Sequence, residues 1–157
     1  MSFNSEDTEH AEDVMSGINL LTQQIIGAAI EVHREKGPGL LESAYESCLV
    51  HEFALRGLKY TRQIAVPLMY KGQVIDVAFR ADLIIEDKVL VELKAVESVL
   101  PVHKAQVLSY IRETQHRVGL LINFHVPKLV DGVTRIINDR VPSVLSESSA
   151  LKTPSLR

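Results

Sequence analysis

Two apolar stretches joined by a charged turn, Phe79-Arg80-Ala81-Asp82-Leu83-Ile84-Ile85-Glu86-Asp87-Lys88-Val89-Leu90-Val91-Glu92-Leu93-Lys94, constrain the fold of this chain more than any other segment. Side chains on a strand alternate between faces, so Glu92 and Lys94 share one. If Glu86-Asp87-Lys88 is a three-residue turn, Ile85 pairs with Val89, Leu83 with Val91, Asp82 with Glu92 and Arg80 with Lys94. One face then carries Leu83, Ile85, Val89, Val91 and Leu93. The other gathers Asp82, Glu92, Arg80 and Lys94 beside Ile84 and Leu90. A slip of one residue mixes these faces and separates the two carboxylates. The hydrophobic pattern therefore selects the register that brings Asp82 and Glu92 together.

Two opposed carboxylates repel unless something compensates. A divalent cation such as Mg²⁺ takes hard oxygen ligands and is commonly held by one or two carboxylates plus substrate phosphate. It polarises a phosphodiester and lowers the pKa of a bound water, and Lys94 would offset charge in the transition state or position the attacking water. The competing reading is a polar sheet face on which Lys94 and Arg80 neutralise Asp82 and Glu92. The spacing D-x9-E-x-K alone does not separate the two.

The rest of the chain supplies helices and further strands. Ile18, Leu21, Ile25, Ala28, Ala29 and Val32 repeat at helical spacing, predicting a helix from Ser16 to about Lys36. Gly37-Pro38-Gly39 ends it. A second helix is expected over about Leu41–Arg56, with Leu41, Tyr45, Cys48, Leu49 and Phe53 on one face and Gly57 as its C′ residue. After Gly57 the period falls to 2. Strands are expected around Ile64–Leu68, from Gln73 to Glu86 and from Val89 to Ala95, then a helix over about Val102–Gln115, a buried strand at Val118–Phe124 and a last strand at Gly132–Asn138. The order ααβββαββ implies an α/β domain, a mixed central sheet flanked by helices.

The 157 residues suit one domain. Residues 1–15 read as an acidic, flexible leader, 16–138 as the domain, and 139–157 as a flexible Ser/Pro-containing tail. The net charge of −3 is uneven: residues 1–15 hold five acids and no Lys or Arg, so removing them leaves +2 for the remainder. That balance is compatible with a phosphate-binding surface. A single cysteine, Cys48, permits no internal disulfide and suggests a cytoplasmic setting. The six histidines form no HxH or HExxH pattern, so a zinc site is not suggested. No apolar run approaches the ~20 residues of a membrane span.

Further segments extend the candidate site. Gly39-Leu40-Leu41-Glu42-Ser43-Ala44-Tyr45 reads G-x-x-E-x-x-Y, with Glu42 and Tyr45 on one helical face. His103, Gln106 and Tyr110 share a face of the third helix. Taken in order with Phe79-Arg80-Ala81-Asp82-Leu83, Val91-Glu92-Leu93-Lys94-Ala95 and Leu120-Leu121-Ile122-Asn123-Phe124, these motifs resemble the GxxExxY proteins, a family grouped within the PD-(D/E)XK nuclease superfamily. The resemblance covers about Ile18 to Asn138. It implies a restriction-endonuclease-like core. It also implies Asp82, Glu92 and Lys94 as the catalytic acid-acid-lysine set and Glu42 as an extra helical acid. The Leu93 backbone carbonyl joins Asp82, Glu92 and Glu42 as a ligand of Mg²⁺ or Mn²⁺. Gln106 and Tyr110 are similar to a Q-x-x-x-Y element that contacts DNA or orients the lysine. Tyr45, His103 and Arg80 join them as candidates for substrate contact. Ala81 stands where the motif has proline.

The expected activity is metal-dependent hydrolysis of nucleic acid, DNA ahead of RNA. Two other classes stay open: a non-catalytic nucleic-acid-binding module, and a protein-interaction subunit that keeps the fold. A homodimer or a protein partner is compatible with either.

Overall fold

The computed structural model describes residues 5–140. Three helices, α1 (Ser5–Lys36), α2 (Glu42–Leu55) and α3 (Pro101–Thr114), surround five strands, β1 (Tyr60–Tyr70), β2 (Gln73–Ile85), β3 (Val89–Lys94), β4 (Val118–Asn123) and β5 (Val133–Ile137). The sheet order is β1-β2-β3-β4-β5. All neighbours run antiparallel except β3 and β4, which are parallel. A parallel pair needs a crossover, and α3 supplies it. This is the expected α/β order ααβββαββ, a mixed α/β arrangement consistent with a restriction-endonuclease-like core.

Strand alternation divides the interior into two layers. Leu83, Ile85, Val89, Val91, Leu93, Val118, Leu120 and Ile122 pack against Ile18, Leu21, Ile25 and Ala28 of α1 and Tyr45, Leu49 and Phe53 of α2. Ile84, Leu90 and Leu121 face the other way, onto Val107, Tyr110 and Ile111 of α3. The sheet is thus buried on both sides, as a sheet with a parallel pair at its centre requires. The close approach of α3 to β4 depends on Gly119, where a Cβ would come within 2.7 Å of Val107.

Helix α1 already runs at Ser5, the first described residue, well ahead of the expected Ser16, so the acidic segment read as a flexible leader is helical over its described part. Two causes are visible. Val14 and Met15 pack partly onto the core. Glu6 and Asp7 lie in the first turn, where acids complement the helix dipole. Leu41, expected on the apolar face of α2, instead precedes the helix and is exposed. Gly57 ends α2 as expected, at φ +73°, with Leu58 N–H donating to the Phe53 carbonyl. A 3-10 turn at Leu129–Gly132 was not anticipated. The proposed tail is described only to Arg140; residues 141–157 lie outside the described range.

The β2–β3 register is the one selected by the hydrophobic pattern: Ile85 pairs with Val89, Ile84 with Leu90 and Leu83 with Val91. Glu86 and Asp87 take left-handed conformations, φ +52° and +56°, and Lys88 N–H donates to the Ile85 carbonyl. The backbone ladder stops at Leu83–Val91. Asp82–Glu92 and Arg80–Lys94 are therefore not ladder pairs, and Arg80 sits on the β1 side, opposite Ala65. The two strands part where the carboxylates begin.

Candidate active site

At the point of parting, side chains replace the ladder. The Asp82 backbone N–H donates to Glu92 Oε1 at 2.8 Å, and the Leu93 N–H donates to Asp82 Oδ2 at 2.8 Å. Each acid is held by the main chain of the other's strand, so the two carboxyl groups are fixed side by side. Glu92 is only 6% exposed and lies on the α3 side of the sheet, beside Leu121 of β4.

The electrostatics of this pair are adverse. Burial, then the charge of Asp82, pushes the Glu92 carboxyl up to about 8. Burial also raises Asp82, with the Glu46 carboxylate adding to it, against the Leu93 N–H that lowers it. Lys94 favours ionised Glu92, but less than burial and Asp82 oppose it. Among the described residues, no ion pair within 4.0 Å joins Lys94 or Arg80 to either acid. The neutralised polar face considered from the sequence is not what the chain builds. It builds a cluster of acids in which Arg62 is bonded to Glu46 and the Lys94 charge only partly offsets the burial and repulsion felt by Glu92.

Glu42 reaches the same place from α2. Its Oε1 accepts from the Ala95 N–H at 3.3 Å, just past Lys94, and its charge acts on both Asp82 and Glu92. Tyr110 arrives from α3. Its hydroxyl accepts from Gln106 Nε2 at 2.8 Å, and burial, then Glu92, raises its pKa. Phe79 flanks the ring at a centroid distance of 6.2 Å. Glu42, Asp82, Glu92, Lys94, Tyr110 and Gln106 therefore gather at one end of the sheet.

Three other candidates occupy different positions. Tyr45 is fully buried, stacked on Phe124 with centroids 4.2 Å apart. Its hydroxyl donates to the Gly37 carbonyl and accepts from the Leu40 N–H at 3.1 Å. The ring thus pins the loop that delivers Glu42 and does not face the carboxylates. His103 Nδ1 accepts from the Leu100 N–H at 3.0 Å, which caps α3. Arg80 is exposed on β2 beyond the carboxylates.

Several residues of this end escaped sequence reasoning. Glu46, one helical turn beyond Glu42, is 7% exposed and receives Arg62 Nε at 3.0 Å, Arg62 Nη2 at 2.8 Å and Gln63 Nε2 at 2.7 Å. The i, i+4 spacing of Glu42 and Glu46 was the available signal. Asn123, 2% exposed, clamps the chain after Lys94: its side chain donates to the Val96 carbonyl at 2.8 Å and accepts from the Val96 N–H at 3.0 Å. Asn123 stands at the end of a quoted motif, but nothing in the sequence distinguished it from its neighbours.

The donor set suits a hard divalent cation. It offers two carboxylates whose mutual repulsion a cation would relieve, and Mg²⁺ requires no more than one or two. Among the described residues, no three Asp, Glu, His or Cys side chains form a ready-made cage. Glu42 Oε1 accepts from the Ala95 N–H, which leaves its second carboxylate oxygen as the one that could turn to an ion.

The family model that matches this chain is described as the PD-(D/E)XK nuclease superfamily, and it spans residues 19–136, more than half of the sequence. Comparison with curated proteins and with solved structures gave no match.

Proposed function

Because the chain belongs to the PD-(D/E)XK nuclease superfamily, we propose that it is a divalent-metal-dependent nuclease that hydrolyses phosphodiester bonds, with DNA as substrate. The observation that carries this reading is the fixed Asp82–Glu92 pair, with Glu92 buried and Asp82 half-buried beside it. Within the superfamily, its motifs from Gly39 to Tyr45, at Asp82, at Glu92-Leu93-Lys94 and from His103 to Tyr110 resemble those of the GxxExxY proteins, which supports this reading.

Asp82 and Glu92 would hold Mg²⁺ or Mn²⁺, with the Leu93 carbonyl and Glu42 as further ligands. When bound, the ion supplies polarisation of the phosphodiester and a more acidic water. The chain's own residues do the rest. The reciprocal backbone bonds set the direction of both carboxylates before substrate arrives, so little reorganisation is needed. Lys94 places a positive charge beside them, where it would stabilise the dianionic phosphorane or hold the nucleophilic water. Tyr110, oriented by Gln106, would contact the phosphate or steady Lys94. Burial of Glu92 keeps bulk water from screening these charges.

The test is a cleavage panel of single- and double-stranded DNA and RNA with Mg²⁺ or Mn²⁺. The proposal expects cleavage by the wild type and none by Asp82→Ala or Lys94→Ala. Salt-dependent binding without cleavage, unchanged by either substitution, would instead mark a non-catalytic nucleic-acid-binding module.

A further inference from the structure

Two neighbouring residues of β1 do something a regular strand forbids. Arg62 and Gln63 are consecutive, so alternation should send them to opposite faces. Both nevertheless reach the same carboxylate, Glu46. Gln63 is the cause, because its φ is +50° inside a strand. A residue with a Cβ is rarely found there, and the conformation costs energy unless the surroundings enforce it. The β1–β2 ladder pairs Arg62 with Leu83 and Ile64 with Ala81, which leaves Gln63 opposite Asp82. On that partner strand the alternation also breaks. Leu83 packs in the α1–α2 layer, and Ala81, two residues away, packs in the α3 layer.

The distortion delivers one side chain. Gln63 Nε2 donates to Glu46 Oε1 at 2.7 Å and points at Asp82 Oδ1 at 3.4 Å. Both partners accept, so the NH₂ group, and not the amide oxygen, must face them. Glu46 is fixed in turn by Arg62, whose Nε and Nη2 both reach Oε2. Asp82 Oδ2 is already held by Leu93, so Gln63 is the group that addresses the second oxygen. Gln63 is thus the donor that stands between Glu46, otherwise held by Arg62, and Asp82, otherwise held by the Leu93 N–H.

Resting on the nuclease reading above, we infer that Gln63 is a positioning residue: backed by Glu46 and Arg62, its left-handed backbone turns an amide onto Asp82 Oδ1 and fixes the plane in which Asp82 presents its oxygens to a divalent cation. Partners of ligands tune metal sites in this way, and their loss commonly costs 10–100-fold in affinity or activity.

The discriminating variant is Gln63→Gly. Glycine accepts φ +50° without penalty, so this change removes the amide while relaxing the backbone. Mn²⁺ affinity is measured by calorimetry on the full chain, alongside the melting temperature and the side-chain amide resonances of Gln63 in the metal-free protein. The expected result is Mn²⁺ binding about tenfold or more weaker than wild type, with melting temperature unchanged or raised. Equal Mn²⁺ affinity in the variant and the wild type overturns the inference. If the wild type itself binds no Mn²⁺, the nuclease reading fails separately, and the amide resonances decide the positioning role. A shifted NH₂ pair that moves on Asp82→Ala upholds it; a solvent-averaged pair indifferent to that change refutes it.

Discussion

Asp82 and Glu92 hold each other through the main chain. The Asp82 N–H is bonded to the Glu92 carboxylate, and the Asp82 carboxylate is bonded to the N–H of Leu93, the residue after Glu92. Two acids that would separate by repulsion are tied together where the β2–β3 ladder ends. The tie explains how the chain tolerates them, and it sets the consequences that follow.

The first concerns pH. The Glu92 carboxyl is raised to about 8 from an ordinary 4.5, so between those values the folded state holds a proton the unfolded chain has released. Stability contributed by this group is fully present below pH 4.5 and lost as pH rises through 8. Metal-free Glu92→Gln, which keeps an acceptor for the Asp82 N–H, should therefore be more stable than wild type at pH 9, by several kcal/mol. The difference should vanish near pH 4.5. His116, held below its usual value chiefly by burial, acts in the opposite sense below pH 6.5, but equally in both proteins. Urea unfolding at the two pH values checks this; an equal deficit of the variant at both would contradict it.

Lys94 should separate binding from chemistry. Its charge favours ionised Glu92 and competes with a cation for the same acids. Lys94→Met should bind Mn²⁺ as tightly as wild type or a few-fold more tightly, yet cleave at least ~100-fold more slowly if it stabilises the transition state. Calorimetry paired with single-turnover cleavage reads both quantities. Parallel losses in the two would assign Lys94 to binding alone.

Tyr45 should behave as a structural residue. Tyr45→Phe keeps the stack on Phe124 but leaves the Gly37 carbonyl and Leu40 N–H without their partner. A loss of about 1–3 kcal/mol in unfolding free energy is expected. The Michaelis constant for nucleic acid should not change at a temperature where the variant is folded. A raised Michaelis constant with unaltered stability would return Tyr45 to the substrate surface.

Gly132 guards the other end of the Asn123 clamp. A Cβ there would stand 2.1 Å from the Asn123 carbonyl oxygen, which is backbone and cannot step aside. Gly132→Ala should cost at least ~3 kcal/mol or leave the protein unfolded. A melting curve matching wild type would show that the turn at Leu129–Gly132 can shift freely.

How far the sequence foretold this molecule depends on which physics was at work. The apolar stripe from Ile18 to Val32 and the alternation around Leu83 and Val91 are period signals, and they specified helix, strands and register directly. The gathering of Asp82, Glu92 and Lys94 followed from that register. The actual bonding did not, because the ladder gives way to side-chain contacts at Asp82, and alternation carries no notice of its own end. Arg80 was misplaced for the same reason. Gln63 was invisible: a left-handed residue in a strand arises from its tertiary partners, and glutamine has no special preference for it. The helical course of α1 ahead of Ser16 was missed because charge in the first turn and the packing of Val14 and Met15 leave no apolar stripe to read.

The central claim is that Asp82 and Glu92 are paired to receive a divalent cation, and calorimetric titration of Mn²⁺ into the metal-free protein tests it most directly. The wild type should bind with a dissociation constant at or below the millimolar range, an affinity of about 4 kcal/mol or more. Glu92→Ala should bind no ion at the same concentrations while remaining folded. Wild type that takes up no Mn²⁺, or Glu92→Ala that binds it equally well, would contradict the account.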